Sequence, residues 1–293
     1  MCSPFRSALL VVVVALVGCA SRAERAATQA PQRVFRVVAD PNNLPFSNDK
    51  LEGFENRIAK LLAREMNATL EYAWRAQRRG FFRHAFNDDG GQLVIGVPAG
   101  FERSLTTEPY YRSSYVFVWR RDRNLDVRSF DDPRLRTLRV GVQLVGDEGA
   151  DTPPAHALAR RGIVDNVVGY TLYGDYTRAN PPARIMDAVA SGEIDVAVVW
   201  GPLAGFYAKH SDVPLKITSV SPQVDPPAMR FAFDIAVGVR KGDAALRDEV
   251  NAVLARNRVE VQRILSDYGV PLVPRDATAA HAARGEEADD DRS

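Results

Sequence analysis

This sequence predicts a two-lobed α/β fold with an interlobe cleft, and three observations lead to it. Strand-like and helix-like patterns alternate from Val34 onward, the mark of a largely parallel sheet flanked by helices. A second such series follows "RSFDDPRLRTL" with no sequence repeat, so one architecture is built twice. Two β-rich segments, "SYVFVWR" (Ser114–Arg120) and "FDIAVGVR" (Phe233–Arg240), fall where the chain passes between the series, as two hinge crossings would.

The first series opens with "VFRVVA" (Val34–Ala39), short and β-branched like a buried strand. "GFENRIAKLLAREMN" sets Phe54, Ile58, Leu61, Leu62 and Met66 on one helical face, with Asn67 as its C-terminal stop. "TLEYAW" alternates Leu70, Tyr72 and Trp74 against Glu71 and Ala73, a half-buried strand. "GFFRHAFND" returns to helical spacing, and "QLVIGVP" is a further buried strand. In the second series "RVGVQ" is a strand and "PPAHALARRG" a helix with Pro in its first turn and Gly162 at its end. "VVGYTLY" is a strand, "PPARIMDAVASG" a helix closed by Gly192, and "IDVAVVW" a buried strand; "GPLAGFYAKH" and "PLKITSV" continue the alternation. Last comes one long helix, Ala244–Tyr268, ended by Gly269 and Pro271. Residues 34–114 and 236–273 therefore form lobe 1, and residues 115–235 form lobe 2.

Composition narrows the function classes. Of 293 residues 26% are charged, with Lys+Arg 38 against Asp+Glu 37, so no basic field exists to attract nucleic acid. Arg6 and the apolar run "ALLVVVVALVG" make residues 1–18 a signal segment, too short in its apolar part to span a bilayer comfortably. "LVGC" at its end is similar to a bacterial lipobox, which would make Cys19 the lipidated first residue; the plainer alternative is an ordinary signal peptide. Residues 19–33 read as a tether and residues 274–293 as a disordered acidic tail. The other cysteine, Cys2, lies within the signal, so the exported body has no disulfide and depends on its core.

From Val34 to Val273 the chain resembles the type II periplasmic solute-binding proteins of family 3. "RVVADPNNLPFS…GFENRIAKLL" matches that family's opening strand and helix, "PYYRSSYVFVWRRD" its first hinge, "SGEIDVAVV" its lobe-two strand and "FDIAVGVRKGD" its return hinge. A narrower resemblance rests on "ADPNNLPFSN", "TPPAHALARRGIVDNVVGY", "NPPARIMDAVASGEIDVAVVWGPLAGFYAK" and "FAFDIAVGVRKGD". These runs look like the MoxJ/XoxJ-like accessory proteins of quinoprotein alcohol and methanol dehydrogenases. The resemblance implies a non-catalytic periplasmic lipoprotein without cofactor, partnered by a pyrroloquinoline-quinone dehydrogenase. Two alternatives stand beside it: a receptor delivering a small organic solute to an ABC permease, and a dehydratase-like enzyme on the same fold.

In such a fold, loops at the carboxyl ends of parallel strands face the cleft. Asp40, Asn42 and Asn43 then offer an anion and two amides to a ligand, and Phe46 an apolar wall; the same Asp40 and Asn42 also suit an Asx turn. The resemblance points to Arg103 for a ligand carboxylate, although a solvated surface arginine is the other reading. It also places Gly146 and Asp147 near the start of the lobe-two helix, where amino-acid receptors carry Gly-Thr. Trp200 stands where those receptors keep an acid for the ammonium, which disfavours an ordinary amino acid and suits an aromatic or apolar ligand. Glu55 reads as a helix-capping charge, with an acid/base role kept open for it or for Asp40. The four histidines show no metal-ligand spacing, and no Gly-x-Ser-x-Gly or phosphate loop is present.

Overall fold

The architecture comes from a computed structural model that describes residues 33–274 except 79, 145–151, 172–175 and 178–179. The chain divides into Met1–Arg33 and Val34–Ser293, and the fold described is that of the second unit. The expected signal segment, Cys19 with its expected lipidation, Gly146, Asp147 and residues 275–293 lie outside the described residues.

The first half contains β1 (Val34–Ala39), α1 (Phe54–Glu65), β2 (Thr69–Trp74), α2 (Phe81–Asn87) and β3 (Leu93–Pro98). The chain crosses on β4 (Tyr111–Arg120) and builds β5 (Val140–Leu144), α3 (Pro153–Arg160), β6 (Val167–Thr171), α4 (Arg184–Ser191), β7 (Val196–Trp200), α5 (Gly201–His210) and β8 (Leu215–Ser219). It returns on β9 (Ala232–Val239) and closes with α6 (Ala244–Arg256) and α7 (Arg258–Asp267).

Strands β2, β1 and β3 are parallel, as are β7, β5 and β6. Between these groups run the crossings. The Tyr111–Ser114 end of β4 pairs antiparallel with β9, whereas Tyr115–Arg120 pairs with β7 and β8. One strand thus serves both halves, and the ladder changes partners between Ser114 and Tyr115. The two crossings hydrogen-bond to each other, so the sheets join edge to edge in one continuous path, β2-β1-β3-β9-β4-β7-β5-β6.

Each half keeps its own hydrophobic cores, because side chains alternate across a strand and both faces of each sheet are covered. In the first half Phe35, Phe54, Ile58, Leu62, Val250 and Leu265 pack on one face, and Val38, Phe81, Phe86 and Val94 on the other. In the second half Phe117, Trp119 and Leu158 fill one face, while Val116, Val118, Met186 and Leu203 fill the opposite one.

The stops read from the sequence are present. Asn67 (φ 48°), Gly162 (φ 66°) and Gly192 (φ 79°) adopt the left-handed conformation that ends a helix. The single long C-terminal helix is not: it breaks at Asn257 into α6 and α7. The Asn257 side chain donates to the Val253 carbonyl (2.9 Å), an intrahelical bond that serves as well at a break as in a continuous helix. The break lets both short helices pack their apolar sides, Leu246 to Leu254 and Val261 to Leu265, onto the same core as α1.

Candidate functional site

A cavity of about 400 Å³ lies between the halves. The first half contributes the end of β1, the loop after it, Glu55, Gln77, Phe81 and Phe82; the second contributes Tyr115, Gln143, Tyr176, Pro182, Trp200 and Leu203; β9 adds Phe233 and Ile235. This volume falls in the range of small-molecule sites, and seven lining side chains are aromatic. No Arg, Lys or His lines it among the described residues.

The loop after β1 is shaped by its own hydrogen bonds. Asn42–Asn43 pairs antiparallel with Ser47–Asn48, and the Ser47 hydroxyl donates to the Asp40 carbonyl (2.8 Å). The carbonyls of Pro45 and Phe46 accept from the amides of Phe54 and Glu55, satisfying donors that a helix N-terminus leaves open. Gly53 is required at this junction, since a Cβ there would stand 2.0 Å from the Phe46 carbonyl oxygen. This geometry explains why the stretch before α1 carries a Phe and ends in glycine.

Asp40 is buried and its carboxylate accepts three hydrogen bonds from the protein. Oδ1 accepts the Asn42 amide (2.8 Å), which is the Asx turn; Oδ2 accepts the Gln77 amide (2.7 Å) and the Tyr176 hydroxyl from the opposite half. A second bridge runs beside it, from the Asn180 amide to Asn42 Oδ1 (2.9 Å). Asn43 Nδ2 donates to Gln77 Oε1 (3.2 Å), and the Arg78 guanidinium lies 5.0 Å from the Tyr176 ring centre. The two halves are therefore clasped at the mouth. Burial, and next the bond to Asp40, pushes the Tyr176 phenol well above its usual range, so it is a donor at neutral pH.

Deeper in, Trp200 meets Tyr115 (5.4 Å between ring centres) and Phe233 (5.9 Å) edge to face. Phe46 packs on Phe54 (5.5 Å). Glu55 corrects the sequence reading. The side chain that caps α1 is Asn56, whose Oδ1 accepts the amides of Gly53 (3.0 Å) and Asn48 (3.1 Å). The Glu55 carboxyl instead lines the cavity, and burial, reinforced by the Asp40 charge, holds it well above the usual glutamate range.

The cavity thus brings together Asp40, Asn42, Asn43, Phe46 and Trp200. Arg103 is a correction: it is exposed and does not line the cavity, because the turn after β3 carries it to the surface. Sequence reasoning missed Gln77, Tyr115, Tyr176, Asn180 and Phe233 as site residues. Strand alternation could have found Tyr115; nothing local marks Tyr176. Among the described residues no group of His, Cys, Asp and Glu could hold a metal ion, and no helix is long and apolar enough to cross a membrane.

A scan against protein-family models finds no match. Protein MoxJ of Methylorubrum extorquens is 35% identical over 243 residues, covering 78% of this chain and 79% of the relative. The crystal structure of the periplasmic binding protein XoxJ from Methylobacterium extorquens AM1 is 33% identical and superposes with a TM-score of 0.68, over 83% of this chain and all (100%) of that one. MxaJ from Methlophaga aminisulfidivorans MPT, 27% identical, gives a TM-score of 0.71 over 82% of this chain and 100% of its own. With the parallel sheets, the paired crossings and the cavity between the halves, these likenesses assign the family: the chain belongs to the MoxJ/XoxJ family of type II periplasmic binding proteins.

Proposed function

We propose that this protein is a non-catalytic periplasmic accessory of a pyrroloquinoline-quinone alcohol or methanol dehydrogenase, tethered to the membrane by lipidated Cys19. The observation that carries the proposal is the identity to MoxJ across 78% of the chain. Asp40, Asn42, Asn43, Phe46 and Trp200 are its cleft residues, with the clasp to Tyr176 and Asn180 marking where the two halves meet. The lining supports a role outside amino-acid import. With no cationic side chain there among the described residues, a ligand carboxylate would be buried without a partner, at a cost of several kcal/mol. The same argument disfavours dehydratase chemistry on acids such as prephenate, and purified protein is expected to leave such acids unchanged.

The partner is tested by immobilising the mature protein and passing periplasmic extract over it. Co-capture of a quinoprotein dehydrogenase, identified by mass spectrometry and by its bound quinone, is the expected result. Capture of ABC permease subunits instead would assign the protein to solute import.

A further inference from the structure

We propose that Glu55 is the recognition group of the cavity, and that its ligand is a primary amine carrying a compact aromatic or branched apolar body. The inference rests on the reading that this cavity is a binding site; it is independent of which macromolecule the protein serves. Two carboxyl groups line the cavity, and they are not equivalent. Asp40 already accepts two backbone amides and a phenol. Glu55 accepts no hydrogen bond from any described residue, although its half-buried side chain lies against Gly96 of β3.

The fold makes room for this carboxyl. Gly96 sits at a bulge in β3, where the register against β9 shifts by one residue, and takes φ +81°. A Cβ at position 96 would lie 2.0 Å from Glu55 Oε1. Glycine is thus the residue that admits the carboxyl to the wall of the cavity. A half-buried acceptor that faces a pocket and has no protein partner suits a donor from the ligand. Charge selects which donor. The described lining holds two acids and no base, and six rings, Phe46, Phe81, Phe82, Tyr115, Trp200 and Phe233, present faces and edges that suit a cation with an apolar body.

Binding is coupled to a proton. The groups that face Glu55 are Asp40 from the loop after β1, Tyr72 on β2, and Tyr110 and Tyr111 at the start of β4. All three phenols are pushed above their usual range, chiefly by burial, and stay neutral; Asp40 repels a charge on Glu55. In the free protein these surroundings favour the protonated form of the Glu55 carboxyl. When an ammonium enters, that proton leaves the Glu55 carboxyl for the solvent buffer, and the carboxylate pairs with the N–H donors.

The experiment is calorimetric titration of the full mature chain at neutral pH with benzylamine, benzyl alcohol and benzoate, repeated in two buffers of different ionisation enthalpy. Benzylamine is expected to bind at least about tenfold tighter than the alcohol, a difference of about 1.4 kcal/mol, and to release up to one proton per molecule. Benzoate is expected not to bind. Glu55→Gln should remove both the preference and the proton release, while Glu55→Asp should keep the release with weaker binding. Equal or tighter binding of the alcohol or of benzoate, no binding of the amine, or binding without proton release would each overturn the inference. Intact dehydrogenase capture with failed amine binding removes this inference alone; intact amine binding with failed capture removes only the partner assignment.

Discussion

At position 55 the environment of one carboxyl group makes stability depend on pH. Burial and the Asp40 charge raise the folded-state pKa of Glu55 above its ordinary value of 4.5. Above that value the unfolded chain has released the proton while the folded chain still holds it. Stability is therefore fully present below about pH 4.5 and is lost as pH climbs toward the raised folded value. Within this window the wild type should lose up to about 1.4 kcal/mol per pH unit relative to Glu55→Gln. Urea unfolding of both proteins from about pH 5 to pH 7 measures the gap, and a difference independent of pH would show that the carboxyl ionises freely. A second prediction concerns Tyr176. Its hydroxyl donates to a carboxylate across the cleft, a class of bond that contributes about 1.5–3 kcal/mol. Tyr176→Phe should thus favour separation of the halves by about tenfold or more. The readout is a larger radius of gyration in solution scattering; an unchanged profile would mean that other contacts hold the mouth closed.

Helix α5 follows Trp200 directly and ties the second half to the end of the chain. A Cβ on Gly201 would stand 2.6 Å from the Ser114 carbonyl oxygen, and one on Gly205 only 1.9 Å from that of Gly269. Phe206 stacks on Tyr268 (5.7 Å), and Lys209 Nζ donates to the Asp267 carbonyl (2.7 Å). Two glycines on one helix face thus let it approach the turn after α7, where Gly269 itself takes φ +67°. The two nearest atoms opposing position 205 are backbone and have no side-chain torsion to relieve a clash. Gly205→Ala is expected to cost on the order of 1–3 kcal/mol, seen as a fall in the thermal midpoint. A midpoint within error of wild type would show that α5 can slide, and would remove it as a fixed anchor for Trp200. "GPLAGFYAKH" announced a helix, but its glycines could not announce their neighbours, because those lie more than 60 residues away along the chain, before the helix as well as after it.

For the molecule as a whole, the alternating elements, the loops facing the cleft and the sites of the two crossings were legible in the sequence. Each depends on short-range pattern: β-branched runs, apolar spacing, and glycine or asparagine stops. Strand β4 could be seen to cross, although its length could not. Its first four residues, Tyr111–Ser114, pair with β9, and only that distant pairing extends the strand beyond "SYVFVWR". The continuous C-terminal helix was misread for a related reason. Its apolar positions run on through residue 257, and the break is decided by how α6 and α7 share the core with α1.

The site divides along the same line. That Asp40, Asn42, Asn43, Phe46 and Trp200 line the cavity was legible in the sequence, because each stands at or shortly after the end of a strand, and strand ends point into the cleft in this fold. The sequence could not tell which of the two acids was free to meet a ligand. Tertiary structure decided that. Gln77 and Tyr176, 37 and 136 residues away, both donate to Oδ2 of Asp40. A bulged glycine on β3 leaves Glu55 open to the cavity. Whether a buried polar group is satisfied depends on donors that folding brings from elsewhere, and no local pattern encodes their arrival.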